Sequence, residues 1–310
     1  MKLVLFNEGK PGVLSARGVV DVSSALAQYA PRTPQESMDA IIANWDAVKG
    51  ELARLEASGP AAPLASVKLL APLPRPNKIM CMGANYKENG TRPVSPMWGF
   101  LKNPEGVIGP GGTVVLPKFD ANVFHHEPEL VVVLGKRGKD VAQAEAMDYV
   151  FGYTCGVDGS AREGTTGSNG GGTRLGKNFD TFAPLGPCIV TKDEIANPHN
   201  LNVRLNVDGE LRGQYNTDDM AHQIPECIEF FSMFMTICPG DLLFTGTNHQ
   251  GLGAMQEGDH IEMEIEKIGT FDFHVTDPLK RTWAKGVDEA TAVAVRTNAG
   301  APGASVRPIA

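Results

Sequence analysis

The chain has little that would commit it to a membrane, a disulfide scaffold or a nucleic acid. No apolar run approaches the roughly 20 residues that cross a bilayer. The opening "MKLVLFNEGKPGVL" has only a short apolar patch before Asn7 and Glu8, where a secretory signal needs a longer core and a small-residue cleavage site. Cysteine is sparse. Cys81, Cys155, Cys188, Cys227 and Cys238 are odd in number and form no CxxC pair, which predicts reduced thiols and a cytoplasmic protein. Lys and Arg total 28 against 36 Asp and Glu, a net charge of −8 with no dense basic cluster. That excludes the electrostatic footprint of a nucleic-acid binder and favours a small soluble substrate over a polyanion.

Several nucleotide and metal signatures are also missing. "GGTRLGKN" has the G-x-x-x-x-G-K spacing but ends in Asn178, without the Ser/Thr that meets Mg²⁺, and "FDTFAPLGP" rather than a helix follows. "HEPEL" lacks the second histidine of HExxH, which excludes a zinc protease on ligand count. The run "GTTGSNGGGT" contains no GxGxxG and reads as a mobile loop, either beside a site or plainly on the surface.

What is present is an ordinary globular composition: 310 residues and 42% hydrophobic, enough for one large domain or a medium domain with a small appendage. Residues 1 to about 75 read as a small N-terminal unit with its linker. There "LVLF" and "GVVDVS" are short strands. "TPQESMDAIIANWDAVKGELARLEAS" has helical spacing, with Met38, Ile41, Ile42, Trp45 and Val48 on one face. Thr33-Pro34 supplies an N-cap and a proline at the first helical position. Residues 76–285 favour strands ("KIMCMG", "GTVVLP", "ELVVVLG", "YVFGYTCGVD", "LNVRLNVDGE", "DLLFTGT", "HIEMEIEKIG") separated by Gly, Pro, Asn and Asp. One helix interrupts them, "IPECIEFFSMFMTI", with Ile224, Ile228, Phe231 and Met235 on a stripe and Cys238-Pro239-Gly240-Asp241 as its stop. Few helices lie between strands, so the expected class is α+β with a β-rich core, not a βαβ parallel sheet. Residues 286–310 are rich in Ala, Gly and Pro and read as a flexible tail.

The stretch "FHHEPELVVVLG" places ionisable groups against a buried-looking strand. In an extended chain, alternate residues share a face, so His125, Glu127 and Glu129 point one way and His126, Pro128 and Leu130 the other. Side-by-side carboxylates repel, and either water at a strand end or a divalent cation relieves them. Carboxylate oxygens suit hard ions, Mg²⁺, Mn²⁺ or Ca²⁺. Asp158 of "GYTCGVDGSARE" follows a second apolar strand and offers a third ligand, although an Asp beside Gly is also an ordinary turn residue.

These blocks, "GANY", "HHEPEL", "VDGSARE", "GKNFDTFAPLGP", "PGDLLFTGT" and "EGDHIEMEIEKIGT", resemble the fumarylacetoacetate hydrolase family in order and approximate spacing, from about Ile79 to Val275. The N-terminal segment is similar to the small domain of bacterial members. The resemblance implies rolled mixed sheets and a homodimer. It implies that Glu127, Glu129 and Asp158 hold Mg²⁺ or Mn²⁺, and that Lys177 stands beside the metal, its pKa pushed down by the ion. Thr247 would touch a substrate carboxylate, with Arg162, Tyr86 and Asn89 lining the pocket. Members cleave or decarboxylate 1,3-dicarbonyl acids, or isomerise or hydrate related enols. A cation chelated by a 2-oxo acid stabilises the enolate left by C–C cleavage, and a lysine adds to that stabilisation.

The chain departs from the family's N-Y-x-x-H-x-x-E lid pattern. "NYKENGTR" has Asn89 at the histidine position and Arg92 at the glutamate position, and neither titrates as a base. His249, two residues beyond Thr247, is the candidate replacement, against the alternative of a structural or solvated loop histidine; His125 is a second candidate. The expected activity is metal-dependent hydrolysis of a C–C bond in an acylpyruvate-like or fumarylacetoacetate-like acid. The alternatives are a metal-dependent decarboxylase, isomerase or hydratase, and a non-catalytic metal- or ligand-binding member.

Overall fold

The computed structural model describes residues 1–162 and 174–297. The "GTTGSNGGGT" segment expected to form a loop lies outside the described residues. Among those described, a 12-stranded sheet dominates. Its centre is the antiparallel run Ala183–Thr191, Val150–Val157, Pro128–Leu134 and Leu242–Phe244; Ile79–Met82 then joins parallel to Leu242–Phe244, and Gly99–Lys102 closes that edge. A second sheet of five strands orders Glu210–Asn216, Asn202–Val207, His260–Ile265, Gly269–Thr276 and Gly112–Val115, the last pair parallel. Mixed sheets with few helices are the expected α+β class.

The strand Pro128–Leu134 is buried on both faces, and its alternation shows how the layers stack. Leu130, Val132 and Leu134 join a core with Ile261, Met263 and Phe273 of the five-stranded sheet. Val131 and Val133 join a second core with Met38, Ile41 and Leu52 of the N-terminal helices. Burial on two sides explains why this strand reads as a continuous apolar run, not as an alternating one.

The N-terminal 75 residues share that second core and extend the main sheet, since Lys2 and Leu3 pair with Val190 and Ile189. The expected single helix after Thr33 is two, Pro34–Ala43 and Trp45–Ser58. Asn44 leaves helical backbone geometry, with φ −118° and ψ 27°, and its side-chain amide donates to the Ala40 carbonyl at 2.9 Å. Thr33 does cap, its hydroxyl accepting from the Glu36 amide at 3.1 Å. The later helix runs from Ile224 to Phe234, and Met235 is already extended, so the chain leaves the helix before the Pro239-Gly240 stop. Within the stretch expected to be a tail, Glu289–Thr297 is helical.

Close strand packing makes one glycine indispensable. A Cβ on Gly152 would lie 2.3 Å from the Val190 carbonyl oxygen, a backbone atom of the neighbouring strand that has nowhere to move. Gly152→Ala is expected to destabilise the fold by about 3 kcal/mol, read as a lower midpoint in urea unfolding at unchanged slope.

Candidate metal centre

The antiparallel register brings the three expected carboxylates together. Pro128 pairs with Val157 and Glu129 with Gly156, and one step further the Asp158 amide donates to the Glu127 carbonyl at 2.8 Å. Glu127 thus stands opposite Asp158 at the end of the ladder, and Glu129 follows two residues along the same face. All three are buried, and one oxygen from each lies within 4.8 Å of the others.

Cations surround this cluster unevenly. The Lys177 ammonium donates to Glu127 Oε2 and Asp158 Oδ2, both at 2.6 Å, and to Ser160 Oγ. Arg162 donates to Glu127 Oε1, and Lys102 to Asp158 Oδ1 at 2.6 Å. Glu129 has no ion pair among the described residues; its carboxylate accepts the Gly246 amide at 2.6 Å.

The electrostatics follow from this placement. Burial works against ionisation of Glu127, but Lys177, Arg162 and His249 outweigh it and hold the carboxyl well below its ordinary range. Burial together with the charges of Asp158 and Glu127 drives Glu129 well above its ordinary range. Burial pulls on the Lys177 ammonium as well, yet Asp158 and Glu127 leave its pKa raised rather than lowered. Three buried oxygen donors converging where one carboxylate has no ion pair among the described residues fit a hard divalent cation.

The other expected residues fall in two groups. Arg162, Lys177 and Thr247 lie at or beside the cluster: Thr247 is buried one residue past the Gly246 amide that holds Glu129. Tyr86 is buried, its ring edge-on to Tyr215 with centroids 4.9 Å apart, and burial drives its hydroxyl pKa upward. Asn89 is exposed. Its amide donates to Asp219 at 3.0 Å, and its Oδ1 is 3.4 Å from Asn248 Nδ2. Arg92 is half-buried on the same loop, its amide bonded to the Lys87 carbonyl at 2.8 Å.

His125 is occupied at both ring nitrogens and has no lone pair for a base. Arg162 Nε, only ever a donor, gives to Nδ1 at 3.0 Å, so Nε2 carries the proton that meets Asp288 at 3.0 Å. Burial pushes its pKa down to about 4. His126 is buried with neither ring nitrogen bonded among the described residues.

Two residues of the site escaped the sequence reading. Lys102 is the one buried residue of the strand Gly99–Lys102, and an apolar "GFL" ended by a lysine is its only signal in the sequence. Glu88 is adjacent to Asn89, which the lid pattern singled out instead. It is buried and bonded to His249 Nδ1 at 2.7 Å.

Residues 78–276 match the family of the fumarylacetoacetate (FAA) hydrolase C-terminal domain. The chain belongs to that family. Among its relatives, bovine (Bos taurus) mitochondrial oxaloacetate tautomerase FAHD2B is 39% identical over 264 residues, 81% of this chain and 82% of the relative. The structure is similar to maleylpyruvate hydrolase from Sphingobium sp. SYK-6 in complex with manganese (II) ion and pyruvate. Their TM-score is 0.80 at 33% identity, covering 89% of this chain and 99% of the other. It is also similar to 5-carboxymethyl-2-hydroxymuconate delta-isomerase from Mycobacterium smegmatis, with a TM-score of 0.64 at 37% identity over 71% of this chain and 84% of that one. The family-level function is therefore enzymatic, of a hydrolase, isomerase or tautomerase type.

Proposed function

We propose that the protein is a divalent-metal-dependent enzyme acting on a small 2-oxo acid, with hydrolytic cleavage of a C–C bond in an acylpyruvate-like substrate as its reaction. The observation that carries this reading is the buried trio Glu127, Glu129 and Asp158, with oxygens within 4.8 Å of one another and Glu129 lacking an ion pair among the described residues. These residues would hold Mg²⁺ or Mn²⁺, whose chemistry when bound is Lewis-acid polarisation of an oxo-acid carbonyl.

The chain's own groups supply the rest. Lys177 adds a cation beside the trio, where negative charge develops on the substrate oxygen, and Arg162 fixes Glu127 in place. Thr247 offers a hydroxyl to the substrate carboxylate, with Tyr86 and Asn89 as further lining residues, Asn89 Oδ1 lying 3.4 Å from Asn248 Nδ2. The likeness to a maleylpyruvate hydrolase across 89% of the chain supports hydrolysis. A second reading, keto–enol tautomerisation, is favoured by the 39% identity to an oxaloacetate tautomerase.

The test is a panel of acylpyruvates, oxaloacetate and dienol acids, each with and without Mn²⁺. Hydrolysis yields two acids from an acylpyruvate, and tautomerisation changes only the enol absorbance of oxaloacetate. Glu127→Ala is expected to abolish either. Metal-independent turnover, or turnover that survives Glu127→Ala, would contradict the proposal.

A further inference from the structure

The loop that follows Gly246 is anchored at both ends to the segment 124–129, which carries Glu127 and Glu129. It begins where the Gly246 amide meets Glu129 and returns where Ala254 bridges to His125 and the Met255 amide donates to Phe124 at 2.7 Å. His249 lies between these anchors, close enough for its charge to be felt at Glu127. Its side chain is 11% exposed, so one edge of the ring is reachable.

The other edge is held by Glu88. The carboxylate is fully buried, and burial opposes its charge, but the hydrogen bonds and charge of His249 keep its pKa below the ordinary value. An ionised carboxylate only accepts, so the proton in the 2.7 Å contact belongs to His249 Nδ1. In the neutral ring this places the proton on Nδ1 and the lone pair on Nε2, which has no hydrogen-bond partner among the described residues.

The backbone is arranged for this contact. Glu88, Asn89 and Gly90 are all left-handed, with φ of 54°, 57° and 78°. Two non-glycine residues in succession pay strain for that conformation. The turn is pinned by Lys87 and Asn89 amides on Asp219, both at 3.0 Å. Its result is that Asn89 faces outward and Glu88 inward. Merely tying the two loops together would not require an imidazole. The His249 amide at 2.9 Å and Gln250 Nε2 at 3.0 Å already bind Glu88 Oε2, while the ring takes the remaining oxygen, Oε1.

We infer that Glu88 and His249 form the proton-transfer couple of this site, with His249 as the catalytic base and Glu88 as its positioning residue. This rests on the oxo-acid reading above but not on which reaction follows. His249 Nε2 takes a proton from the carbon next to the keto carbonyl. The C–H electron pair becomes the C=C bond of the enolate, and the carbonyl oxygen accepts the displaced pair. The imidazolium, stabilised by Glu88, returns its proton to that oxygen for an enol, or to carbon in the reverse direction. No other reactant is needed. In hydrolysis the same lone pair takes the proton of the attacking water.

The test uses the full chain and two readouts. The first is solvent-deuterium exchange into the methyl group of pyruvate with Mn²⁺ present, which needs enolisation and no C–C cleavage. His249→Asn keeps an N–H that can donate to Glu88, so the buried carboxylate retains a partner. Its exchange rate is expected to fall about 10²–10⁴-fold, with the Mn²⁺-induced rise in melting temperature unchanged. Glu88→Gln is expected to give a smaller fall and the same metal response. The second readout is ¹⁵N NMR of the His249 ring, expected to show a protonated Nδ1 and a bare Nε2 in the wild type and a mixture of tautomers in Glu88→Gln.

Wild-type exchange in His249→Asn overturns the inference. So does a loss accompanied by loss of the metal response, because the histidine then holds the site rather than the proton. A neutral ring protonated at Nε2 rather than Nδ1 in the wild type also overturns it. Exchange without any cleavage of acylpyruvates would remove the hydrolysis reading and leave the couple standing.

Discussion

Lys177→Met is expected to lower turnover by about 10²–10³-fold, the scale of removing one preorganised electrostatic contact from a buried site. It is also expected to destabilise the metal-free protein by about 3 kcal/mol. Both effects come from one atom, since Nζ lies 2.6 Å from Glu127 and 2.6 Å from Asp158. Deleting it leaves two buried carboxylates with one cation each, Arg162 and Lys102, beside Glu129, which has no ion pair among the described residues. The two effects separate on adding metal. A divalent ion supplies the missing positive charge, so Mn²⁺ should recover more stability in Lys177→Met than in the wild type, while turnover stays low. Thermal unfolding with and without Mn²⁺, run beside the kinetics, reads both. A variant with normal metal-free stability would show that the lysine does not hold the carboxylates together.

Glu129→Gln is expected to act differently on the metal-free protein. Among the described residues Glu129 has no ion pair, and its neighbours Asp158 and Glu127 both oppose its charge. The neutral amide keeps an oxygen to accept the Gly246 amide and stands where the raised pKa already favours an uncharged carboxyl, so metal-free stability should hold. The response to metal should disappear. For the wild type, an ion present at about 100 times its dissociation constant adds about 2.7 kcal/mol; for the variant the same addition should leave the unfolding midpoint unmoved. A structural carboxylate with no metal to bind would behave otherwise, with Glu129→Gln destabilised and no metal response in either protein.

The sequence and the structure agree where the argument is local. Glu127 and Glu129 share a face because extended chain repeats every two residues, and the apolar run after them marks a strand buried on both sides. Thr33-Pro34 marks a helix start for an equally local reason, and the α+β class follows from strands not separated by helices. What was not legible depends on pairs distant in the chain. Lys102 is 56 residues from Asp158, and Glu88 is 161 residues from His249. No periodicity connects such pairs; only the folded sheet and its loops bring them together.

The lid motif and the buried carboxylate differ by one position. The family's lid motif directed attention to Asn89 and Arg92, where a base and its acid were missing, while Glu88 beside them turns inward on a left-handed backbone and is buried. His125 shares the carboxylates' face of the strand, but its ring is consumed by Arg162 and Asp288. The pairing of Lys2–Phe6 with Ala183–Thr191 likewise has no trace in local spacing, so the N-terminal segment reads as separate while its strands continue the main sheet.

Calorimetric titration of Mn²⁺ into the protein, alongside its Glu127→Ala, Glu129→Gln and Asp158→Asn variants, tests the central claim most directly. The account predicts one ion per chain in the wild type and affinity lowered at least tenfold by each substitution. Absence of binding in the wild type, or binding that survives all three substitutions, would contradict it.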